Sequence, residues 1–497
     1  LWPLDNNAIV NLTGGENTAL WISVKVPGST PAGDYSSSLQ VGNITIPVEL
    51  HVFDFTLPEE LHVKSQMNFS HNTVLQKYSV TGTGSNYWFY VDKMKQFLID
   101  HRLTPKSVLW SGGLTSSGGA PYIDYDCNGT LTDTDGIWGF EDPAERYLDG
   151  TGLMNSRFVD NFNEGIGFPS FMAATFQNND ASADQRPSSF CGQTRSGSDW
   201  YTGNNPNSPY NQKWFEYMTA AQNYLNNLGY LDKAYYYFAN EPQDQADYDA
   251  VAWYSKQLKK VAPGLKLMVS EEPKPEIYNH SVHTNAKIDI WLAHLGMHLD
   301  PAVSWDRMAH HDEQTWIYFL NSTRLPFFNP LTIDHPGIEG RLTGWFLWKY
   351  RLRGIGYYST NTWSPNPWTT PRGSGQNGNL FLLYPPAENN DPIDYGSNNH
   401  RFIPSIRLEM IREGLEDYEY LYLLNQAQHP EPFVENDTDF HVDKLIGDLM
   451  AYDRSSDLIY HLRKAIGQKL GGEIEHIPNL TPPSAHTRSD GPPGNYY

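Results

Sequence analysis

Ala234-Tyr235-Tyr236-Tyr237-Phe238-Ala239-Asn240-Glu241-Pro242 is an aromatic run that breaks off in a polar pair and a proline. Aromatic residues favour a strand, and Pro242 cannot donate to a sheet ladder, so the strand stops there. A helical stretch, Ala246 to Val261, follows at once. Strand, short turn and helix form the unit of an α/β protein, in which residues just past the carboxyl end of a strand face the ligand crevice. Glu241 therefore reads as an active-site carboxylate. The competing reading is an acid that caps the next helix, since Asp and Glu are favoured in a first turn.

Outward from this segment the same unit recurs. Candidate strands are 62–69, 105–110, 168–174, 234–240, 265–270, 288–294, 315–319 and 354–360, with helices at Tyr87 to Arg102, Asn211 to Leu228 and Ile338 to Tyr350. This alternation predicts an α/β fold, a (β/α)8 TIM-like barrel, as the catalytic domain over 59–430. An open doubly wound sheet is the rival, but no Gly-rich phosphate loop follows a first strand. Residues 1–58 alternate in the β manner, with strands at Leu20 to Val26, Tyr35 to Val41 and Ile44 to Phe55. They read as the last part of a β-sandwich whose upstream portion is missing. Ser405 to Ala427 is a strong helix, 431–475 a C-terminal helical segment, and 476–497 a Pro-, Gly- and Ser-rich disordered tail. The polar, Gly-rich stretches 111–165 and 176–210 have the length of functional lids or insertions.

The 497 residues hold 57 acidic against 35 basic side chains, a net charge of −22. Nucleic acid and anionic membrane surfaces need clustered Lys and Arg, so neither is expected as a partner. No apolar run approaches the roughly 20 residues of a membrane span. Aromatics make up 14% of the chain, which suits stacking on the C–H faces of sugars and equally suits a large core. The two cysteines, Cys127 and Cys191, read as two free thiols or as one disulfide in an oxidising compartment. Asn-x-Ser/Thr sequons stand at Asn11, Asn43, Asn68, Asn128, Asn279, Asn321, Asn436 and Asn479 and permit glycosylation. Together these features lean towards a secreted, extracellular or cell-surface protein.

Several short motifs carry a family likeness. They are Val26-Pro27 with Pro31-Ala32-Gly33-Asp34-Tyr35, Val52-Phe53-Asp54-Phe55-Thr56-Leu57-Pro58, Asn240-Glu241-Pro242, Arg341 with Trp345 and Lys349-Tyr350, and Leu383-Tyr384-Pro385. The longest is Ser405-Ile406-Arg407-Leu408-Glu409 continuing to Arg412-Glu413-Gly414-Leu415-Glu416-Asp417-Tyr418-Glu419-Tyr420-Leu421. From about residue 20 to 427 the chain resembles the catalytic-domain superfamily of glycoside hydrolase family 123, with its relatives filed as domain of unknown function 4091. The resemblance implies a β-sandwich, a (β/α)8 barrel, and retaining hydrolysis of β-linked N-acetylgalactosaminides. In that family the sugar's acetamido oxygen is the nucleophile, an exception to the two-carboxylate rule. A Glu protonates the leaving oxygen and a preceding Asp orients the acetamido group. By that likeness Glu241 is the general acid, and the Asp position holds Asn240. Three readings of Asn240 stay open: slower substrate-assisted chemistry, a sugar without an acetamido group, or a non-catalytic glycan-binding or surface-structural protein that keeps the barrel.

Without acetamido help a second carboxylate is needed. Asn-Glu at the fourth strand is also similar to the acid/base of the large clan of retaining barrel glycosidases, whose nucleophilic Glu ends the seventh strand. Here Thr315 to Asn321 offers no carboxylate at its end. Glu271 and Glu272, directly after Leu265 to Ser270, are the best second acids, with a solvated loop as the alternative; Asp334 and Glu339 follow. Tyr237, Glu272, His294, Trp345, Trp348, Tyr358 and Trp363 are the candidate sugar contacts, although each aromatic on its own is more often core. Asp124, Asp126, Asn128 and Asp135 follow calcium-loop spacing with no flanking helices, so a polar hairpin is the default and no cofactor is expected. Zinc clusters and serine-hydrolase elbows are absent from the sequence.

Overall fold

A computed structural model of the chain describes residues 15, 21–78, 85–105, 166–168, 186, 188–227, 229–296, 298–363, 366–371, 375–385, 402–428 and 442–478. It opens on an antiparallel hairpin, β1 (Gly33–Val41) and β2 (Ile44–Val52), in register from Gly33 opposite Val52 to Val41 opposite Ile44. Gly42 takes a left-handed φ of 61° at the two-residue turn, where a side chain would be strained. The strand expected at Leu20 to Val26 does not form across described residues 21–26. Its alternation is strand-like, but a strand also needs a ladder partner, and none of the described residues supplies one. The expected β-sandwich is thus represented by one two-stranded hairpin. Beyond it Phe55 packs edge-on against Tyr420, and the His51 ring lies 2.6 Å from both Asp34 and Glu473.

The centre is a seven-stranded parallel sheet. Its strands are β3 (Lys64–Met67), β4 (Ile166–Phe168), β5 (Ala234–Asn240), β6 (Lys266–Ser270), β7 (Ile290–His294), β8 (Gln314–Tyr318) and β9 (Gly354–Tyr357). They lie in the order β3-β9-β8-β7-β6-β5-β4, so the first strand sits beside the last. That wrap-around is a barrel's order rather than that of a doubly wound sheet. A parallel bridge joins Met67 on the other edge of β3 to Pro105. The rest of the expected strand 105–110 lies outside the described residues, as do 169–174, and the described strands form an open part of a ring.

Helices α1 (His71–Lys77), α2 (Ser85–Asp100), α3 (Pro209–Asn227), α4 (Gln245–Val261), α5 (Pro301–His311) and α6 (Ile338–Lys349) occupy the crossovers. Two more, α7 (Ile406–Gln428) and α8 (Ser456–Leu470), follow the last strand. The start of α5 is written in Asp300-Pro301, where the aspartate caps the N–H groups of Ala302 and Val303.

The strands are buried on both faces, as parallel strands under helices are. Tyr235, Tyr237, Met268, Ile290, Leu292 and Trp316 form the inner cluster. Tyr236, Phe238, Leu267, Val269 and Trp291 face outward onto Trp214 and Met218 of α3 and Val251 and Leu258 of α4. On β9 the inward positions are glycines, because a Cβ on Gly354 would stand 2.6 Å from Trp316 Cδ2.

The long motif of α7 is a packing seam. Residues 339–348 of α6 are all buried, and a Cβ on Gly344 would stand 1.9 Å from the Gly414 carbonyl oxygen of α7. Asp417 accepts Arg341 Nε at 2.8 Å, Arg341 Nη2 at 3.1 Å and Trp345 Nε1 at 3.0 Å. Arg463 of α8 joins at 3.0 Å. A buried carboxylate is tolerated only with such complete pairing.

Candidate active site

One irregularity in β5 sets the site. Tyr237 pairs with Met268 of β6, yet Ala239 pairs with Val269 and Asn240 with Ser270, so a bulge falls between Tyr237 and Ala239. Phe238 and Ala239 both lie in the outer layer, which returns Asn240 to the inner face beside Tyr237. Glu241 then leaves the strand with a left-handed φ of 47°. Its N–H donates to the Ser270 carbonyl at 3.1 Å and, more weakly, to Ser270 Oγ at 3.3 Å.

The Glu241 carboxylate accepts a hydrogen bond of 2.7 Å from Tyr318 Oη at the end of β8. Burial, then the charge of Glu241, pushes the Tyr318 hydroxyl above the ordinary phenol range, so it remains a protonated donor. Asn240 Oδ1 accepts from Ser270 Oγ at 2.7 Å and from the buried Tyr237 hydroxyl. His294, paired with Tyr318 across β7 and β8, has its ring 5.4 Å from that phenol and Nε2 2.7 Å from Thr323 Oγ1. Burial, then His298, lowers His294 to about 4, so the imidazole is neutral at pH 7. Gln66 of β3 is 4% exposed, and its Nε2 has no partner among the described residues.

Glu271 and Glu272 follow β6 directly. Burial, then the neighbouring Glu272, pushes Glu271 up to about 9. Burial opposes ionisation of Glu272 as well, but the hydrogen bond with Glu271 and the Lys274 ammonium hold it below its usual range. Lys274 Nζ contacts Glu272 closely and lies 3.6 Å from Glu271. Burial and mutual repulsion favour protonation of Glu271, while Lys274 favours the ionised form of Glu272. The ends of four parallel strands, β5 to β8, thus gather a carboxylate with a phenol donor, an amide, a hydroxyl, a neutral imidazole and a second acid pair. Such a set offers hydrogen-bond donors and acceptors to a polar ligand. Among the described residues no group of His, Cys, Asp and Glu is arranged to hold a metal.

The model of the glycoside hydrolase 123 catalytic domain matches residues 161–424. The chain belongs to glycoside hydrolase family 123. It is a glycosidase. A family 123 glycoside hydrolase from Clostridium perfringens, studied for glycolipid glycan hydrolysis, superimposes with a TM-score of 0.54. The alignment covers 90% of this chain and 77% of that one at 16% identity, and speaks for the fold. An endo-β1,6-glucanase aligns at a TM-score of 0.35 and 10% identity, over 77% of this chain and 84% of that one, too remote to inform either fold or chemistry. No curated protein matches the sequence.

Within this family 123 chain, Asn240, Glu241, Glu271, Glu272 and His294 come together at the strand ends. Glu241 does not cap α4; that position is Asp244, which accepts the Asp247 N–H at 3.0 Å. Tyr358, one residue past β9, is 69% exposed at the same end of the sheet. Three of the aromatic residues expected at the sugar wall are elsewhere. Trp345 and Trp348 are buried in the helix layer, and Trp363 is buried with Nε1 donating to the Leu383 carbonyl at 2.8 Å. Their indoles are consumed by packing. Tyr237 stands behind Asn240 rather than at an open surface. Glu339 is fully buried, accepting from Asn329 N–H and Tyr452 Oη and contacting His335, while exposed Asp334 holds Asn377. Neither reaches the strand ends as an acid.

The calcium-spaced Asp124, Asp126, Asn128 and Asp135, with Cys127, Asn11, Asn436 and Asn479, lie outside the described residues. Asn43 and Asn279 are exposed, and Asn68 and Asn321 half-buried. Sequence reasoning missed Tyr318, Ser270 and Gln66. The signal for Tyr318 was present: with Trp316 inward, a period of two puts residue 318 inward as well. A search for a carboxylate passes over it.

Proposed function

We propose that this glycosidase cleaves a β-linked hexosaminide of the N-acetylgalactosamine type with retention. Glu241 gives its proton to the leaving oxygen as the acetamido oxygen attacks C1 and the C1–O bond breaks. In the second half it takes a proton from the water that opens the cyclic intermediate, as microscopic reversibility requires. Asn240 faces the substituent at C2, and Tyr358 offers a ring face at the rim. The observation that carries the reading is the Glu241 carboxylate at a strand end, held at 2.7 Å by a phenol that stays protonated.

The reading includes a closed (β/α)8 barrel, a sandwich built on the β1–β2 hairpin, and the boundaries 1–58, 59–430, 431–475 and 476–497. It also includes secretion, with a Cys127–Cys191 disulfide and glycans on exposed sequons. In support of the disulfide, no described cysteine is free. The partner is an oligosaccharide or polysaccharide, and no cofactor is required. No described helix is long and apolar enough to cross a membrane.

A second reading, hydrolysis of a 2-hydroxy sugar with Glu272 as nucleophile, is favoured by the ionised state of Glu272 beside protonated Glu271. Chromogenic β-N-acetylgalactosaminide, β-N-acetylglucosaminide and β-galactoside assays on the wild type, Glu241→Gln and Glu272→Gln separate the two. Loss of turnover in Glu241→Gln with activity kept in Glu272→Gln supports the first reading. Full activity in Glu241→Gln would end both.

A further inference from the structure

The Asn240 side chain is not free to choose which end it shows a ligand. Its Oδ1 lies 2.7 Å from Ser270 Oγ and also accepts from Tyr237 Oη. Each hydroxyl carries a proton that needs an acceptor, and Oδ1 is the one oxygen of the three with no proton of its own. Ser270 Oγ already accepts the Glu241 N–H at 3.3 Å, and its own proton goes to the amide oxygen. Tyr237 is 5% exposed, and burial holds its hydroxyl in the protonated, donating form. Tyr237 Oη and Ser270 Oγ also lie 2.5 Å apart, so the two hydroxyl protons are shared within one cluster whose terminal acceptor is Oδ1. The Nδ2 group, on the opposite side of the half-buried amide, has no protein partner among the described residues.

We propose that Tyr237 and Ser270 are positioning residues that lock Asn240 as a hydrogen-bond donor toward the C2 substituent of the bound sugar. The site then recognises that substituent through an acceptor oxygen rather than through an N–H. An aspartate at 240, clamped by the same hydroxyls, would present an oxygen and accept an N–H. The asparagine reverses that polarity. A C2 hydroxyl, or the carbonyl oxygen of an acetamido group, meets the amide well; a C2 group with donors alone meets it badly and leaves the amide protons unpaired. This rests on the reading of Glu241 and Asn240 as the sugar-facing pair.

The test uses methyl 1-thio-β-galactosides and 1-thio-β-glucosides, stable to hydrolysis, with either a hydroxyl or an ammonium at C2, titrated calorimetrically at pH 6. In the wild type the hydroxyl sugar binds better. In Tyr237→Phe/Ser270→Ala the amide is free to turn, and the hydroxyl-over-ammonium ratio falls roughly tenfold, the scale of one hydrogen bond. Asn240→Asp lowers the ratio further and shows that position 240 touches the group. Ser270→Ala alone, with circular dichroism as the folding control, gives a smaller change in the same direction. An unchanged ratio in the double variant while Asn240→Asp shifts it overturns the clamp. An unchanged ratio in Asn240→Asp overturns the contact itself. The underlying reading fails separately, by full hydrolytic activity in Glu241→Gln, whatever the binding ratios show.

Discussion

Replacing Glu271 with Gln should make the protein more stable, by an amount that grows with pH. Glu271 normally titrates near 4.5, and in the fold burial and the adjacent Glu272 push it up to about 9. Between those limits the folded protein keeps a proton that the unfolded chain has released, so stability falls as pH rises. At about 1.4 kcal/mol per pH unit, the interval from 4.5 to 7 bounds the cost at about 3 kcal/mol at pH 7. Glu272 moves the other way, and its contribution is present above its unfolded value and lost only as pH falls through its lowered folded value. It therefore adds no slope between pH 5 and 9. A carboxamide at 271 keeps the shape and a donor for Glu272 but has no proton to lose. Urea unfolding at pH 5, 6, 7 and 8 should give wild-type and Glu271→Gln curves that nearly coincide at pH 5 and diverge steadily above it. Parallel curves across that range would show that Glu271 titrates as an ordinary carboxyl and that the shared-proton pair does not exist.

Tyr318→Phe removes the only described side-chain donor to the Glu241 carboxylate; a charge-assisted bond of this kind predicts a drop of about 10–100-fold in kcat/KM with an unchanged circular dichroism spectrum. Asp417→Ala leaves Arg341, Arg463 and Trp345 Nε1 without their shared acceptor, and chemical denaturation should register a loss of about 3–5 kcal/mol. Gly354→Ala drives a Cβ to 2.6 Å from Trp316 and 2.7 Å from the Lys64 carbonyl, so a loss of about 1–3 kcal/mol is expected in the same assay. Tyr358→Ala should raise KM about 3–10-fold and leave stability unchanged, if its exposed ring contributes one aromatic contact to the sugar.

The barrel-like order was legible because buried parallel strands are short apolar runs between turn residues, and their faces need no partner to be recognised. Seven of the strands lie at or next to their expected positions. The misread strand at residues 20–26 shows the limit of periodicity, since alternation says which residues share a face and nothing about whether a neighbouring ladder exists. The tryptophans fail for a related reason. Helix α6 is buried on every side, so no exposed stripe distinguishes an indole that lines a cleft from one wedged against α7. Trp345 is decided by Asp417, 72 residues away, a pairing that no local pattern contains.

The polar pair itself depends on a feature that strict alternation contradicts. Counting by twos from inward Tyr235 and Tyr237 places Ala239 and Glu241 inside and sends Asn240 into the helix layer. The bulge at Tyr237–Ala239 cancels that count by one residue, and Ala239 joins Phe238 in the outer cluster. Asn240 thereby gains Tyr237 and Ser270 as fixed donors, and Glu241, past the register, turns out of the strand at φ 47° toward Tyr318. The bulge arises from the fit of β5 against β6, so neither strand's sequence displays it. Two adjacent residues that an even pleat would hold on opposite faces of the sheet instead share one opening. That is the arrangement required if one is to deliver a proton while the other holds the neighbouring carbon's substituent.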